Sequence, residues 1–339
     1  MKNAVNIGVI GAGYWGKNLV RNFNELGALH VICDKDKELL EKHRAQYPDI
    51  PVTSHAKDVL DDENVEAVVI AVPAVFHYRL AKEALSRGKH VFVEKPLALN
   101  VREGEELVEL AERKKKVLMV GHILQYHNAV IKLKEIIDGG ELGRIRYVYS
   151  NRLNIGKIRA EENILWSFAP HDISVILMLL DGEVPGSLFT TGGTYLQHNV
   201  ADVTMTNMSF PDGVRAHIFV SWLHPFKEQK MVVVGDRKMA VFDDMTQEKL
   251  FLYPHKIEWQ NNIPVVSKAE AETVRFDMAE PLKEECRHFI NCVENGETPR
   301  TDGREGLEVL RILQASQESM NTDGMIVDLA EACSKVDRR

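Results

Sequence analysis

Apolar runs recur through the first third of the chain, at residues 5–10, 29–33, 67–72, 90–93 and 117–120, and the stretches between them are long enough for helices. Short continuous apolar runs mark strands buried on both faces, and the intervening helices supply the crossovers that parallel strands require. This pattern predicts a doubly wound parallel sheet. Between residues 74 and 88, Leu80, Ala81, Ala84 and Leu85 fall at helical spacing, and Gly88 supplies a left-handed stop.

Past about residue 140 the period changes. Ile145, Tyr147 and Tyr149 alternate with Arg144, Arg146 and Ser150, the signature of a half-buried strand. Further strands are predicted at 203–210 and 214–222, then at 231–234 and 239–242 around Gly235 and Asp236. Helices near 170–181, 280–294 and 304–320 would cover one face of an antiparallel sheet, leaving the other for solvent or a second subunit. The expectation is an α/β protein with an N-terminal doubly wound domain, residues 1–122. A C-terminal α+β domain, residues 123–339, would carry a mostly antiparallel open-faced sheet for substrate binding and for assembly as a homodimer or homotetramer.

Composition narrows the class. The chain has 339 residues, consistent with two domains, and 45% hydrophobic and 27% charged residues make it an ordinary globule. Its longest uncharged apolar run, residues 173–180, falls well short of the about 20 residues a bilayer span needs. No membrane insertion is expected and, with no basic-then-apolar leader, a cytoplasmic location is. A net charge of −8 argues against a nucleic-acid partner but leaves room for an anionic small molecule. Cys33, Cys286, Cys292 and Cys333 form no C-x-x-C pair and read as reduced thiols, and no H-E-x-x-H or G-x-S-x-G motif suggests a metal or a nucleophilic serine.

The first strand runs into Gly11-Ala12-Gly13-Tyr14-Trp15-Gly16. In a Gly-x-Gly-x-x-Gly turn between strand and helix, the first glycine makes the turn and the second admits a pyrophosphate. The third lets the helix pack close, its positive end toward the phosphates. Asp34, closing the second strand, is the carboxylate that a dinucleotide's ribose hydroxyls need, and it favours NAD over NADP although Lys35 and Lys37 lie close by.

Two further segments, Gly88-Lys89-His90-Val91-Phe92-Val93-Glu94-Lys95-Pro96-Leu97-Ala98 and Trp166-Ser167-Phe168-Ala169-Pro170-His171-Asp172-Ile173-Ser174, complete a likeness. With the glycine turn, they resemble the glucose-fructose oxidoreductase and inositol dehydrogenase family of NAD(P)-dependent sugar and polyol dehydrogenases, over essentially the whole chain. The resemblance implies a Rossmann domain with Gly11, Gly13, Tyr14, Trp15, Gly16, Asp34, Val72, Pro73, His77, Glu94, Lys95 and Gln125 around the cofactor, and a cis peptide before Pro96. It places Lys95 beside the nicotinamide, where an ammonium would stabilise charge developing on the substrate oxygen. It makes His171 the general base, and the apolar helix expected to begin there would favour its neutral form. His77 reads equally well as the start of a helix.

Three positions depart from the family pattern. Ser167 stands where an Asp partner for the histidine is common, which leaves Asp172 as a possible helper or as a first-turn acid. Glu161-Glu162-Asn163-Ile164-Leu165-Trp166 replaces a glycine-rich stretch, and Gln125 replaces an arginine. The run from Ser150 through Arg152, Lys157, Arg159 and Asn163 to His171 resembles a branch acting on UDP-linked N-acetylhexosamines, oxidising the 3-hydroxyl. Arg152, Lys157 and Arg159 would suit a diphosphate, with Trp166, His171, Asp172 and Lys95 nearer the sugar. The sugar could be UDP-N-acetylglucosamine or its uronic acid. A free polyol, inositol or aldose dehydrogenase is the alternative enzyme, and an NAD-sensing scaffold the alternative of another class, which Lys95 and His171 together disfavour.

Overall fold

The computed structural model describes residues 5–156, 158–160 and 162–329. Lys157, Glu161 and Cys333 lie outside the described residues. The chain divides into two units: Ala279–Arg311 joins the described residues up to Tyr126, and His127–Met278 joins those from Ile312 on.

In the first unit, the apolar runs become β1 (Ile7–Ile10), β2 (Leu29–Cys33), a short β3 (Val52–Thr53), β4 (Ala67–Ile70), β5 (His90–Glu94) and β6 (Leu118–Gly121). Between them stand α1 (Gly16–Glu25), α2 (Lys37–Gln46), α3 (Ala56–Asp61), α4 (His77–Ser86) and α5 (Val101–Lys114). The strands pair in parallel in the order β3-β2-β1-β4-β5-β6, so successive strands diverge on either side of β1. Beyond the carboxyl ends of strands at such a switch point a crevice forms. Strand period sorts the core into two faces: Ile7, Val9, Val69, Phe92 and Met119 pack on one side, and Ile10, Val68, Ile70, Val91 and Val93 on the other. The two-residue β3 escaped the sequence reading because it has no apolar run.

In the second unit come α6 (Asn128–Asp138), β7 (Ile145–Leu153), α7 (Ile164–Leu179), β8 (Ser187–Gly193), β9 (Val203–Ser209), β10 (Arg215–Ser221), β11 (Glu228–Gly235) and β12 (Met239–Asp243). They are followed by β13 (Leu250–Tyr253), the exposed hairpin β14 (Lys256–Gln260) and β15 (Ile263–Ser267), then β16 (Glu272–Thr273) and β17 (Val327–Asp328). The large sheet has the order β16-β13-β12-β11-β7-β10-β9-β8-β17. It is mixed, because β7 and β10 pair in parallel at its centre while the other pairings are antiparallel. Short turns between neighbours in sequence predict the hairpins but not which two of them meet. Helix α7 covers β7, β9 and β10.

The helix expected at 280–294 is α8 (Pro281–Asn295), and it covers the first unit, not the second sheet. Its Phe289 ring lies 5.5 Å from Phe92 and 6.4 Å from Phe23, edge to face. The division between units then falls within α9 (Gly303–Asn321). Helical periodicity identifies an apolar face but carries no address, so a boundary near residue 122 captures only part of the first unit.

One neighbour of Phe289 on α8 is unexpected. Glu285 is fully buried, neither carboxyl oxygen finds a hydrogen-bond partner among the described residues, and burial, reinforced by the Glu94 carboxylate, pushes its pKa well above 4.5. A neutral acid in the fold holds a proton the unfolded chain gives up, so stability falls as pH rises above about 4.5. Glu285→Gln is expected to remove that decline and to match or exceed wild-type stability at mildly alkaline pH. Melting temperature measured against pH for both proteins checks this, and parallel curves would count against it.

Candidate active site

The glycine turn leaves β1 with Gly11 at φ +94°, a conformation open chiefly to glycine. A Cβ on Gly11 would stand 2.5 Å from the Ala71 carbonyl oxygen, and one on Gly16 would stand 1.9 Å from the Gly11 carbonyl oxygen. A Cβ on Gly13 would meet nothing within 4 Å. Two glycines are therefore demanded by the protein's own backbone, and the middle one borders open space, as a cradle for pyrophosphate requires. Trp15 occupies the cap of α1 without capping it through its side chain, so no side chain competes with an anion there.

Asp34 is half-buried and pinned in place. Its Oδ2 accepts from the Ala12 amide at 2.8 Å and its Oδ1 from the Asp36 amide at 3.0 Å. The carboxylate thus stands against the glycine turn, where ribose hydroxyls would reach it. Buried His43 of α2 adds a second hold, its Nε2 lying 3.0 Å from the Ala12 carbonyl oxygen. Sequence reasoning missed His43, since a single histidine on an amphipathic helix carries no signal.

Glu94 ends β5 and Lys95 follows it, half-buried, with a cis peptide to Pro96. The Glu94 Oε1 accepts from the Trp15 indole at 2.5 Å. Burial pushes the Glu94 carboxyl above its ordinary range, opposed by the Trp15 hydrogen bond and the Lys95 ammonium. Val72 and Pro73, partly exposed, follow β4. His77 begins α4 and is 1% exposed. Its ring nitrogens lie 2.7 Å from the Pro96 carbonyl oxygen and 2.8 Å from that of Val72. It acts as a clasp between the two loops, the helix-start alternative of the sequence reading. Exposed Tyr14 reaches solvent.

Gln125, expected near the nicotinamide, is buried and donates its side-chain amide to Glu305 Oε1 at 2.9 Å, while Arg300 donates to its backbone carbonyl at 2.5 Å. The other Glu305 oxygen lies 2.6 Å from Nδ1 of buried His122. Neither His122 nor Glu305 was singled out, because a contact between residues 183 positions apart leaves no local pattern.

The second unit corrects the reading around His171. Helix α7 begins at Ile164, where the Asn163 side chain accepts from the Trp166 amide at 3.2 Å, and Pro170 lies inside it. A proline suggests a helix start, but an asparagine cap and the buried Ile164 and Leu165 extend this helix by more than a turn upstream. His171 is therefore half-buried in the interior of α7. The helix dipole acts on the first turn and cannot set its protonation.

Asp172 is not a first-turn acid either. It is 1% exposed and accepts from Arg152 Nε at 2.8 Å, Arg152 Nη2 at 3.1 Å and Ser150 Oγ at 2.6 Å. This fork between α7 and β7 pairs the two charges, so neither stands as an unmatched charge in the absence of a ligand. By contrast, Arg159 meets Glu162 at 2.8 Å with 45% of its side chain exposed. Such surface pairs are worth about 0–1 kcal/mol, so this guanidinium remains available to an anion. Half-buried Trp166 donates its indole to Gln317 at 3.1 Å, which also receives Asn163 at 2.8 Å.

The parallel sheet, its glycine cradle and the carboxylate at the end of β2 define an NAD-binding oxidoreductase of the Rossmann class. Residues 5–122 match the oxidoreductase family with an NAD-binding Rossmann fold, and residues 130–241 match the GFO/IDH/MocA C-terminal domain, so the chain belongs to the GFO/IDH/MocA family. Among its relatives, an uncharacterized oxidoreductase, YrbE, of Bacillus subtilis is 24% identical, covering 94% of this chain and 95% of its own. The UDP-N-acetylglucosamine 3-dehydrogenase of Acidithiobacillus ferrooxidans is 25% identical over 89% of this chain and 93% of its own. Its solved structure superposes with a TM-score of 0.82, covering 94% of this chain and 98% of that one at 23% identity. Levoglucosan dehydrogenase in complex with NADH and levoglucosan gives a TM-score of 0.83 at 20% identity, over 96% of this chain and 99% of that one.

Gly16→Ala is expected to abolish NADH binding, because its methyl group would overlap the Gly11 carbonyl. Titration of NADH fluorescence checks this, and wild-type affinity in the variant would contradict the cradle geometry. Asp172→Ala, which leaves the Arg152 guanidinium buried and unmatched, should cost about 3–5 kcal/mol in denaturant unfolding. A loss under about 1 kcal/mol would show the pair to be no better than a surface one.

Proposed function

We propose that this protein oxidises the 3-hydroxyl of a UDP-linked N-acetylhexosamine to the 3-keto sugar. The observation that carries the reading is Lys95, held directly after β5 beside a glutamate that touches the dinucleotide turn. An ammonium there stabilises the negative charge that grows on the substrate oxygen as its proton leaves. His171 takes that proton as the general base. NAD, when bound, accepts the hydride from C3. Arg159 and Lys157 meet the diphosphate, and Trp166 lies toward the sugar.

The choice of sugar rests on the Acidithiobacillus relative, similar over almost its full length, and on the basic segment before α7. Asp34, with its carboxylate already against the glycine turn, supports NAD over NADP by repelling a 2′-phosphate.

Incubating the protein with NAD and UDP-N-acetylglucosamine, its 6-carboxylate, free N-acetylglucosamine and inositol tests the proposal. NADH absorbance should rise with the UDP-sugars only, and the product mass should show the loss of two hydrogens. Lys95→Ala and His171→Ala should each lower kcat by about 10²–10⁴-fold. Turnover confined to free polyols, or undiminished in both variants, would overturn it.

A further inference from the structure

The link between Trp15 and Glu94 joins two parts of the first unit that are 79 residues apart in sequence. Trp15 belongs to the glycine turn and stands at the cap of α1, yet its indole does not serve that helix. It reaches to the end of β5 and donates to Glu94 Oε1 at 2.5 Å. The neighbouring strand makes room for the acceptor: Gly121 of β6 is in register with Glu94, and a Cβ there would lie 3.0 Å from Glu94 Oε2 and 3.2 Å from Oε1. The carboxylate therefore lies across the bare backbone of β6, aimed at the turn. The residue directly after β5 is Lys95, whose ammonium favours the charged form of Glu94 against the cost of burial.

We propose that the Trp15 indole and the Glu94 carboxylate form a strut tying the dinucleotide-binding turn to the lysine-bearing end of β5, so that Glu94 is a positioning residue for Lys95 and the turn, and not a contact of the cofactor. The inference rests on the reading of Lys95 as the group that stabilises the substrate oxygen. A displaced indole releases Glu94, and a released Glu94 frees both the turn and the backbone that carries Lys95. An interaction of this kind leaves a thermodynamic mark: two residues acting through one contact are not additive.

The test is a double-mutant cycle on the full chain with Trp15→Phe, Glu94→Gln and the pair together. Phe keeps the ring and loses the donor, and Gln keeps the shape but offers the indole a neutral amide oxygen in place of a carboxylate, so both weaken the contact and leave the fold's packing in place. NADH fluorescence titration, which requires no sugar substrate, is the first readout. Each single variant should weaken NADH by about threefold to tenfold, and the double variant should be no weaker than the poorer single one. The second readout is turnover of the best sugar, where kcat should fall about tenfold with little change in the sugar's KM. Additive losses in NADH affinity would overturn the strut. So would a Glu94→Gln loss with Trp15→Phe unaffected, the pattern of a direct cofactor contact. Failure to turn over any UDP-sugar would instead strike the proposed substrate and leave the NADH cycle to judge the strut by itself.

Discussion

The tightest constraint in the protein is the approach of two backbones in the glycine turn, where the space beside Gly16 is filled by the Gly11 carbonyl and that beside Gly11 by the carbonyl of Ala71. Hydrogen is the only side chain that fits at either place. Because of this closeness, α1 starts within reach of the ends of β1 and β4, with no side-chain cap from Trp15 at its N-terminus. Asp34 and His43 grip the amide and the carbonyl of the same residue, Ala12, so the turn is held from the β2 side as well. A binding loop built this way loses little freedom when a dinucleotide arrives, which is where affinity is gained cheaply.

Ionisable groups in the interior fall into two kinds. Asp172 sits in a fork with Arg152 and Ser150, both of its oxygens taken up by their donors, and such a cluster ties α7 to β7. Glu285 has no such match among the described residues and lies in the field of Glu94. A buried acid without partners costs stability whenever it is charged, so it is carried as a neutral group in the core of the first unit. The difference shows why a carboxylate's burial alone says little about its role, and why its hydrogen bonds say much.

The parallel sheet was readable because strands buried on both faces leave unbroken apolar runs, and the glycine turn because its spacing is set by local backbone sterics. Lys95 was found by its place in a motif at a strand end. His77 and Asp172 were noticed as chemistry-bearing residues, but their partners, the carbonyls of Val72 and Pro96 for one and the Arg152 guanidinium for the other, came only with the fold. His122 and Glu305 left no trace at all. Helix α7 starts at Ile164 and not near residue 170, because the asparagine cap and the burial of Ile164 outweigh the hydrogen bond that Pro170 forgoes.

The sequence by itself determined the long strands of the parallel sheet, the dinucleotide turn with its acid, and the family, since each depends on residues near one another in the chain: apolar period, glycine spacing, strand-end motifs. Tertiary structure alone decided which sheet α8 covers, that β7 and β10 run parallel, and which charges cancel one another and which remain for a ligand. Those outcomes depend on contacts between distant segments. A helix face or a guanidinium has the same local pattern whichever partner it finds, so the choice is made by packing and by the cost of leaving a buried charge unmatched.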